Sequence, residues 1–395
     1  MSRYRAFIAT PRAARVLGSA LLARLPIGMS SLAIVLVIRE RGGSFALAGL
    51  ASGLFTFANA ACSPLQGRLI ASFGPARVVW VSVVANSVAL AGLATAAQVG
   101  APAPVIVTIA LAAGPFVPPI SACSRGLWPI LARDHASLET AYALDAVSQE
   151  LLWTSGPLIV AVAASISSAV LAVWLAALFT LVGGLWFATA PTLRAQRPTR
   201  SRAHPGERVL GSLGLVAMLV AMALAGVGNG ALALGLPALA SHLGVRTASG
   251  PLLAMLSLGS LAGGLLHGGR TWRIPAQMRY QLLLGLAGVL ALPVAVAPDV
   301  PVALVLSAVA GAPWAAMMSC QFSLVNTVAH AGTATEAFAW NTSALVVGIA
   351  VGTAVAGILV DAIGVSGPFI LNGLACLAAW GMTWTGGIHR LDVAH

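Results

Sequence analysis

Apolar runs long enough to cross a bilayer recur along the whole of this 395-residue chain. Val16–Ile38, Arg77–Ala97 and Gln281–Ala297 are three of them, each bounded by short polar stretches. A helix needs about 20 apolar residues to span the hydrocarbon core, and by that rule the runs give roughly twelve spans. Their centres fall near Gly28, Phe57, Ala85, Ala122, Ser155, Leu181, Gly226, Leu258, Val289, Met317, Gly352 and Ala378. Backbone polar groups in lipid must be satisfied within the segment or in a closed barrel, and barrel-type alternation is missing here, so each run reads as a helix. Composition agrees: 8% of the residues are charged and 59% are hydrophobic, against roughly 25% charged in a soluble domain. So little charge cannot coat a globule. The fold class expected is an all-α membrane protein with both faces of its runs in contact with lipid or with other helices.

The net charge of +11 is carried by 21 Arg and no Lys. With the amino terminus taken as cytoplasmic, only Arg39, Arg41 and Arg246 fall in loops on the far side, and Arg24 and Arg125 fall inside spans. The rest lie on one side, which is the positive-inside asymmetry and places both termini in the cytoplasm. A nucleic-acid partner is not expected, since the arginines form no basic patch interleaved with aromatics. A chain without Lys has no P-loop Lys for nucleotide phosphates, so a Walker-type ATPase is excluded. Cys62, Cys123, Cys320 and Cys376 lie inside apolar runs without CxxC spacing and read as packing residues rather than disulfides or zinc ligands. The His residues show no ligand spacing, and no cofactor or metal is expected. The first apolar run is full length and reads as a retained helix, not a signal peptide. Trp174, Trp186, Trp272, Trp380 and Trp384 near span ends read as interfacial anchors.

The chain also repeats itself. Residues 191–208 carry five Arg with Pro, Ser and Gly, and read as a cytoplasmic linker between halves at 1–190 and 209–395. Gly67–Arg68–Leu69 aligns with Gly263–Gly264–Leu265, Arg77 with Arg273, and Arg125 with Gln321. Ala141–Tyr142–Ala143 aligns with Ala337–Phe338–Ala339, and Gly156 with Gly352, always at an offset of 196 (352−156). One offset across three helices of each half predicts a six-plus-six duplication with pseudo-symmetric halves. Parallel repeats of this kind place a substrate site near the bilayer midplane, where the halves meet.

After the second run comes Gly67–Arg68–Leu69–Ile70–Ala71–Ser72–Phe73–Gly74–Pro75–Ala76–Arg77. It resembles the loop motif of the major facilitator superfamily, Gly-x-Leu-Ala-Asp-Arg-x-Gly-x-x-Arg, at Gly67, Leu69, Gly74 and Arg77. Ala71 and Ser72 replace the motif's acid and following base, so a gate built on that acid is not expected. Arg125 sits where the family carries a buried Arg in its fourth helix. Gly156–Pro157 resembles the core of the family's antiporter motif, with Val160 and Ala161 in place of its trailing glycines. In topology the resemblance covers essentially the whole chain. It implies a monomeric secondary transporter of small molecules in the lipid bilayer, without enzyme activity.

Four ionisable residues lie inside spans: Arg24, Arg125, Asp145 and Glu150. A mid-membrane charge costs at least about 2.5–3.5 kcal/mol, so such residues are paired or functional. At ~1.5 Å per residue, Arg24 and Arg125 lie roughly 12–14 Å deep, Asp145 about 9 Å and Glu150 about 16 Å. Helices one, four and five are neighbours in the resembled fold, so the four charges are expected to form one neutral cluster. That cluster reads either as a static brace or as a proton site in which Glu150, or Asp145, is countered by an Arg. On the tenth span Trp314, Met317, Met318 and Gln321 share a face. They read as packing or, by the resemblance, as cavity lining with Asn229 of the seventh span. Thr56, Asn59, Ser63 and Gln66 form a stripe on the second span, suited to the pathway or to bonding a neighbouring helix. Gly226xxxGly230, Gly259xxxGly263 and Gly348xxxGly352 read as close-packing motifs.

The function expected from these features is export of a small amphipathic molecule by proton antiport. An importer or facilitator, and a transporter-like sensor that moves nothing, remain open alternatives. The Arg-only, Ala-rich composition points to a high-GC bacterial source and hence to the cytoplasmic membrane.

Overall fold

Each apolar run folds as a helix, and Pro or Gly marks several of the breaks, as at Pro11, Gly42–Gly43, Gly74 and Gly100. The computed structural model describes residues 2–43, 45–196, 213–245, 248–329 and 334–385. In chain order the helices are α1 (Ser2–Ile8), α2 (Pro11–Glu40), α3 (Phe45–Phe73), α4 (Pro75–Gln98), α5 (Ala103–Ala113), α6 (Ile120–Leu131), α7 (His135–Ile166) and α8 (Ala169–Ala188). There follow α9 (Pro191–Arg194), α10 (Leu213–His242), α11 (Ser249–Gly268), α12 (Ala276–Ala291), α13 (Val300–Gly311), α14 (Pro313–Val328), α15 (Ala334–Ile363) and α16 (Gly367–Thr385). Among the described residues ten helical segments are long and apolar enough by composition to cross a membrane. With α3 and α16 the fold has 12 transmembrane helices in two halves. All the span centres read from the sequence fall inside helices. The linker expected over 191–208 opens with the short helix α9 and from residue 197 lies outside the described residues.

Two spans are built from two helices each. α5 and α6 are separated by Gly114–Phe116 and the Pro118–Pro119 pair, and α13 and α14 meet at Pro313. Pro cannot donate a backbone bond, so each break frees carbonyls at membrane depth that need a partner. At the first break the partners are side chains of neighbouring helices. Gln66 Nε2 donates to the carbonyls of Pro115 (2.7 Å) and Val117 (3.1 Å), and Asn86 Nδ2 donates to that of Ala113 (2.9 Å). Of the polar stripe on α3, Gln66 therefore bonds a neighbouring span, and Thr56 Oγ1 lies 3.3 Å from Ser31 Oγ.

The chain divides into two compact units. The first gathers Arg5–Leu131 and Leu151–Ala203, and the second gathers Met1–Tyr4, Ala132–Glu150 and His204–His395. The boundary thus falls inside α7. In the first unit an apolar core joins Met29, Ile34 and Val37 of α2 to Leu90 and Leu93 of α4 and Val173 of α8. There Glu40 accepts from the Ala169 N–H with both carboxylate oxygens (2.8 and 3.0 Å). A carboxylate at the exposed N–H groups of α8 both caps them and complements the helix dipole.

The glycine pairs do what close-packing motifs do. A Cβ built on Gly348 or Gly352 would sit 2.0 Å from the carbonyl oxygen of Ala223 or Val227 on α10. On Gly259 and Gly263 it would meet the Ala308 and Ala312 carbonyls at 1.8 and 1.9 Å. No side chain fits there, so the backbones touch directly. The repeat partner of Gly352, Gly156, packs the same way in the first unit, where its Cβ would lie 2.6 Å from Gly28.

Candidate functional site

α2 and α6 carry the buried arginines of the first unit. Arg24 and Arg125 are 1% and 2% exposed, and Arg24 Nη2 donates to the Ser124 hydroxyl. The bond ties α2 to α6 at the residue next to Arg125. The acids Asp145 and Glu150 belong to the second unit. Asp145 is fully buried, and Glu150 is hydrogen-bonded to the hydroxyl of Ser260 on α11. Ser260 Oγ in turn accepts from the Ala315 N–H at 3.1 Å, just past the Pro313 break. Arg24 and Arg125 thus belong to one unit, and Asp145 and Glu150 to the other.

The stripe on α14 is mostly enclosed. Met317, Met318 and Gln321 are buried and Trp314 is half-buried. Gln321 Nε2 donates to the Met218 carbonyl on α10 (3.1 Å) and to Asn341 Oδ1 on α15 (2.9 Å). Its two amide protons therefore hold three helices together. Asn229 on α10 and Asn59 on α3 are half-buried. In the loop motif Gly74 takes φ +86° at the start of α4, a conformation that L side chains resist. Gly67 is buried, while Leu69 and Arg77 are exposed.

Sequence reasoning missed a second polar group, at the α11–α12 connection. Arg279 belongs by sequence to the arginines of the loops, but Pro275 starts α12 at that point and Arg279 turns inward, 6% exposed. It forms an ion pair with Glu139 of α7. Its Nη1 lies 3.2 Å from His267 Nε2, and its Cζ lies 5.9 Å from the centroid of the Trp272 ring. A guanidinium only donates, so His267 Nε2 is the acceptor and the neutral ring carries its proton on Nδ1. Cys320 Sγ also reaches His267 Nε2, at 3.4 Å, so this cysteine does more than pack. Trp272 stacks on His267 (5.1 Å) and donates to its carbonyl (2.8 Å). Nearby, Tyr4 donates to the Leu265 carbonyl at 2.7 Å, and burial pushes its phenol up to about 12. That donor stays protonated throughout the physiological range. Two residues 12 apart on either side of a loop, and an acid 140 positions away, leave no local spacing to read.

The Major Facilitator Superfamily sequence profile matches residues 16–344. The chain belongs to the major facilitator superfamily. No curated protein sequence matches it. Solved structures of low identity share the superfamily fold. The human organic anion transporter MFSD10 (TETRAN) is 16% identical, with TM-score 0.71 over 94% of this chain and 99% of its own. A bacterial homologue of the iron transporter ferroportin, in an outward-facing state, is 13% identical, with TM-score 0.72 over 95% and 99%. The E. coli fucose:proton symporter FucP is 15% identical, with TM-score 0.75 over 96% and 99%. The chain is therefore a multi-pass membrane protein with the transporter fold of its superfamily, a family generally without enzyme activity.

Proposed function

We propose that this chain is a secondary active transporter that exports a small amphipathic molecule in exchange for protons, by alternating access. The observation that supports this reading is Glu150, an acid about 16 Å in from Glu139 by helix rise that bonds the neutral hydroxyl of Ser260. A carboxyl with a hydroxyl partner keeps a hydrogen bond whether it is ionised or protonated, because Ser can donate or accept. That is a requirement for a group that gains and loses a proton in each cycle. Buried Arg24 and Arg125 supply fixed positive charge in the other unit, and Trp314, Met317, Met318, Asn229 and Asn59 are the proposed cavity residues. The proposal includes a monomer as the working unit, both termini in the cytoplasm on the strength of the arginine distribution, and a bacterial cytoplasmic membrane.

A second reading is uptake by proton symport. It is favoured by the fucose:proton and xylose:proton symporters among the similar structures. Vesicles containing only the purified chain separate the readings. Substrate efflux coupled to opposite proton movement supports antiport, and co-directional movement supports symport. Absence of substrate-dependent flux across drugs, natural products and hydrophobic metabolites would sink both and favour a sensor.

A further inference from the structure

Where α2 and α4 end and α5 begins, the first unit has a cleft of about 320 Å³, large enough for a small ligand. Ile38, Arg41, Gly100, Pro102, Ala103 and Ile106 are among its walls. Two tight turns shape it. Each runs through a glycine in the left-handed region, Gly42 at φ +75° and Gly100 at φ +80°, where L side chains are strained. The floor is apolar, since Ile38 and Ile106 are both buried. Pro104 and Val105 on the first turn of α5 are exposed, so the cleft borders an apolar surface.

Arg39, Glu40 and Arg41 follow one another where α2 ends, but they are engaged differently. Arg39 Nη1 donates to the Gly43 carbonyl at 2.8 Å, and the Glu40 carboxylate accepts from the Ala169 N–H. Among the described residues the Arg41 guanidinium has no hydrogen-bond or ion-pair partner. It leans over Gly100, where an added Cβ would lie 3.3 Å from Nη1. Arg41 is the charged residue of the cleft, and α5 starts there without a side-chain cap, which adds the positive end of a helix dipole. A guanidinium offers paired donors that match the oxygens of a phosphate. With 30 residues, α2 runs about 45 Å at ~1.5 Å per residue, longer than a hydrocarbon core of ~30 Å. Its charged end falls at headgroup depth, with Ile38 and Ile106 about one turn deeper. A cation above an apolar floor fits the two ends of an anionic amphiphile.

We propose that this cleft binds a phosphate group carrying an apolar tail, with Arg41 on the phosphate and Ile38 and Ile106 beneath the tail. Such a group comes from an anionic phospholipid or from a soluble organic phosphate. Binding here requires no transport, so its test is separate from that of the transport reading. Native mass spectrometry of the detergent-purified full chain provides it, with phosphatidylglycerol, hexyl phosphate and diacylglycerol as probes. Phosphatidylglycerol should bind as one saturable adduct. Diacylglycerol lacks the phosphate and should bind at least about tenfold more weakly. Arg41→Gln should weaken phosphatidylglycerol binding at least about tenfold, and Arg41→Lys less, since charge stays while the paired geometry is lost. Ala103→Phe, which fills the cleft and leaves Arg41 in place, should weaken it too, with a melting curve like that of the wild type. Arg133→Gln, at an exposed arginine elsewhere, should bind as the wild type does. Phosphatidylglycerol binding without a hexyl phosphate adduct assigns the cleft to a lipid, and hexyl phosphate binding at least as tightly assigns it to soluble phosphates. Unchanged affinity in Arg41→Gln overturns the proposal, as do an equal loss in Arg133→Gln, equal binding of diacylglycerol, or no adduct with either phosphate.

Discussion

Tyr142 on α7 and Phe338 on α15 pack ring against ring, with centroids 6.3 Å apart and planes tilted by 50°. Both are fully buried, and they lie 196 residues apart (338−142), the offset at which the sequence repeats. Phe322 completes a triangle, 6.3 Å from each of the other two. Aromatic pairs in offset or tilted geometry add about 0.5–1.5 kcal/mol beyond their buried area. This aromatic cluster and the Glu139–Arg279 pair both engage the same few turns of α7, one through apolar contact and the other through charge.

Glycine positions give a direct test of the packing. Gly348 has no room for a side chain, whereas a Cβ on Gly285 would meet nothing within 4 Å. Gly348→Val should lower the melting temperature of the detergent-solubilised protein, with a loss of at least about 1–3 kcal/mol from overpacking. Gly285→Ala should be neutral or gain about 0.5–1 kcal/mol through helix propensity. Equal melting curves for the two variants would contradict the backbone contact between α15 and α10.

The spans were legible because hydropathy needs no partner: each run can be read as it stands. The glycine pairs were legible from their spacing in the same way. The role of Gln66 was half legible, as a polar stripe whose partners lie in another helix. The α11–α12 cluster was not legible at all. Arg279 follows Arg270 and Arg273 and takes its place among loop arginines by sequence. Only the start of α12 at Pro275 turns it toward His267 and Glu139. Gln321 was visible as one member of the α14 stripe, but its commitment to Met218 and Asn341 depends on how three helices pack.

Trp314 is the test of the proposed cavity. It is half-buried on a stripe whose other members are enclosed, so it is the member with surface to offer a ligand. Trp314→Ala should change the range of substrates or weaken apparent affinity several-fold, since a large aromatic contact is lost, about 1–3 kcal/mol. Membrane insertion and the elution profile should stay as in the wild type. Identical transport of every substrate tested would assign the stripe to helix packing.

Orientation can be read by labelling. Val99, at the end of α4, is 75% exposed, and Arg133, between α6 and α7, is also exposed. In a cysteine-free background, Val99→Cys should react with an impermeant thiol reagent in intact cells. Arg133→Cys should react only after permeabilisation. The reverse pattern would place the arginine-rich loops outside and overturn the proposed topology.

The coupling proposal turns on one carboxyl. Glu150 can hold a proton in the membrane because Ser260, which can donate or accept, stays a partner in either charge state. Glu150→Gln fixes the neutral state while keeping the hydrogen bond. The variant should therefore lose proton-driven accumulation and still bind substrate and exchange it across the membrane. Its substrate affinity should no longer vary with pH, whereas the wild type should vary across the range in which Glu150 titrates. Glu150→Asp, which keeps the charge but shortens the reach to Ser260, should retain coupled transport at a reduced rate. Asp145→Asn serves as the comparison, because Asp145 is the other acid at membrane depth and the fallback proton carrier. If Glu150→Gln transports uphill with an unaltered pH profile and Asp145→Asn does not, the proton site moves to Asp145. If both variants keep uphill transport, the acids of α7 brace the helix and carry no proton.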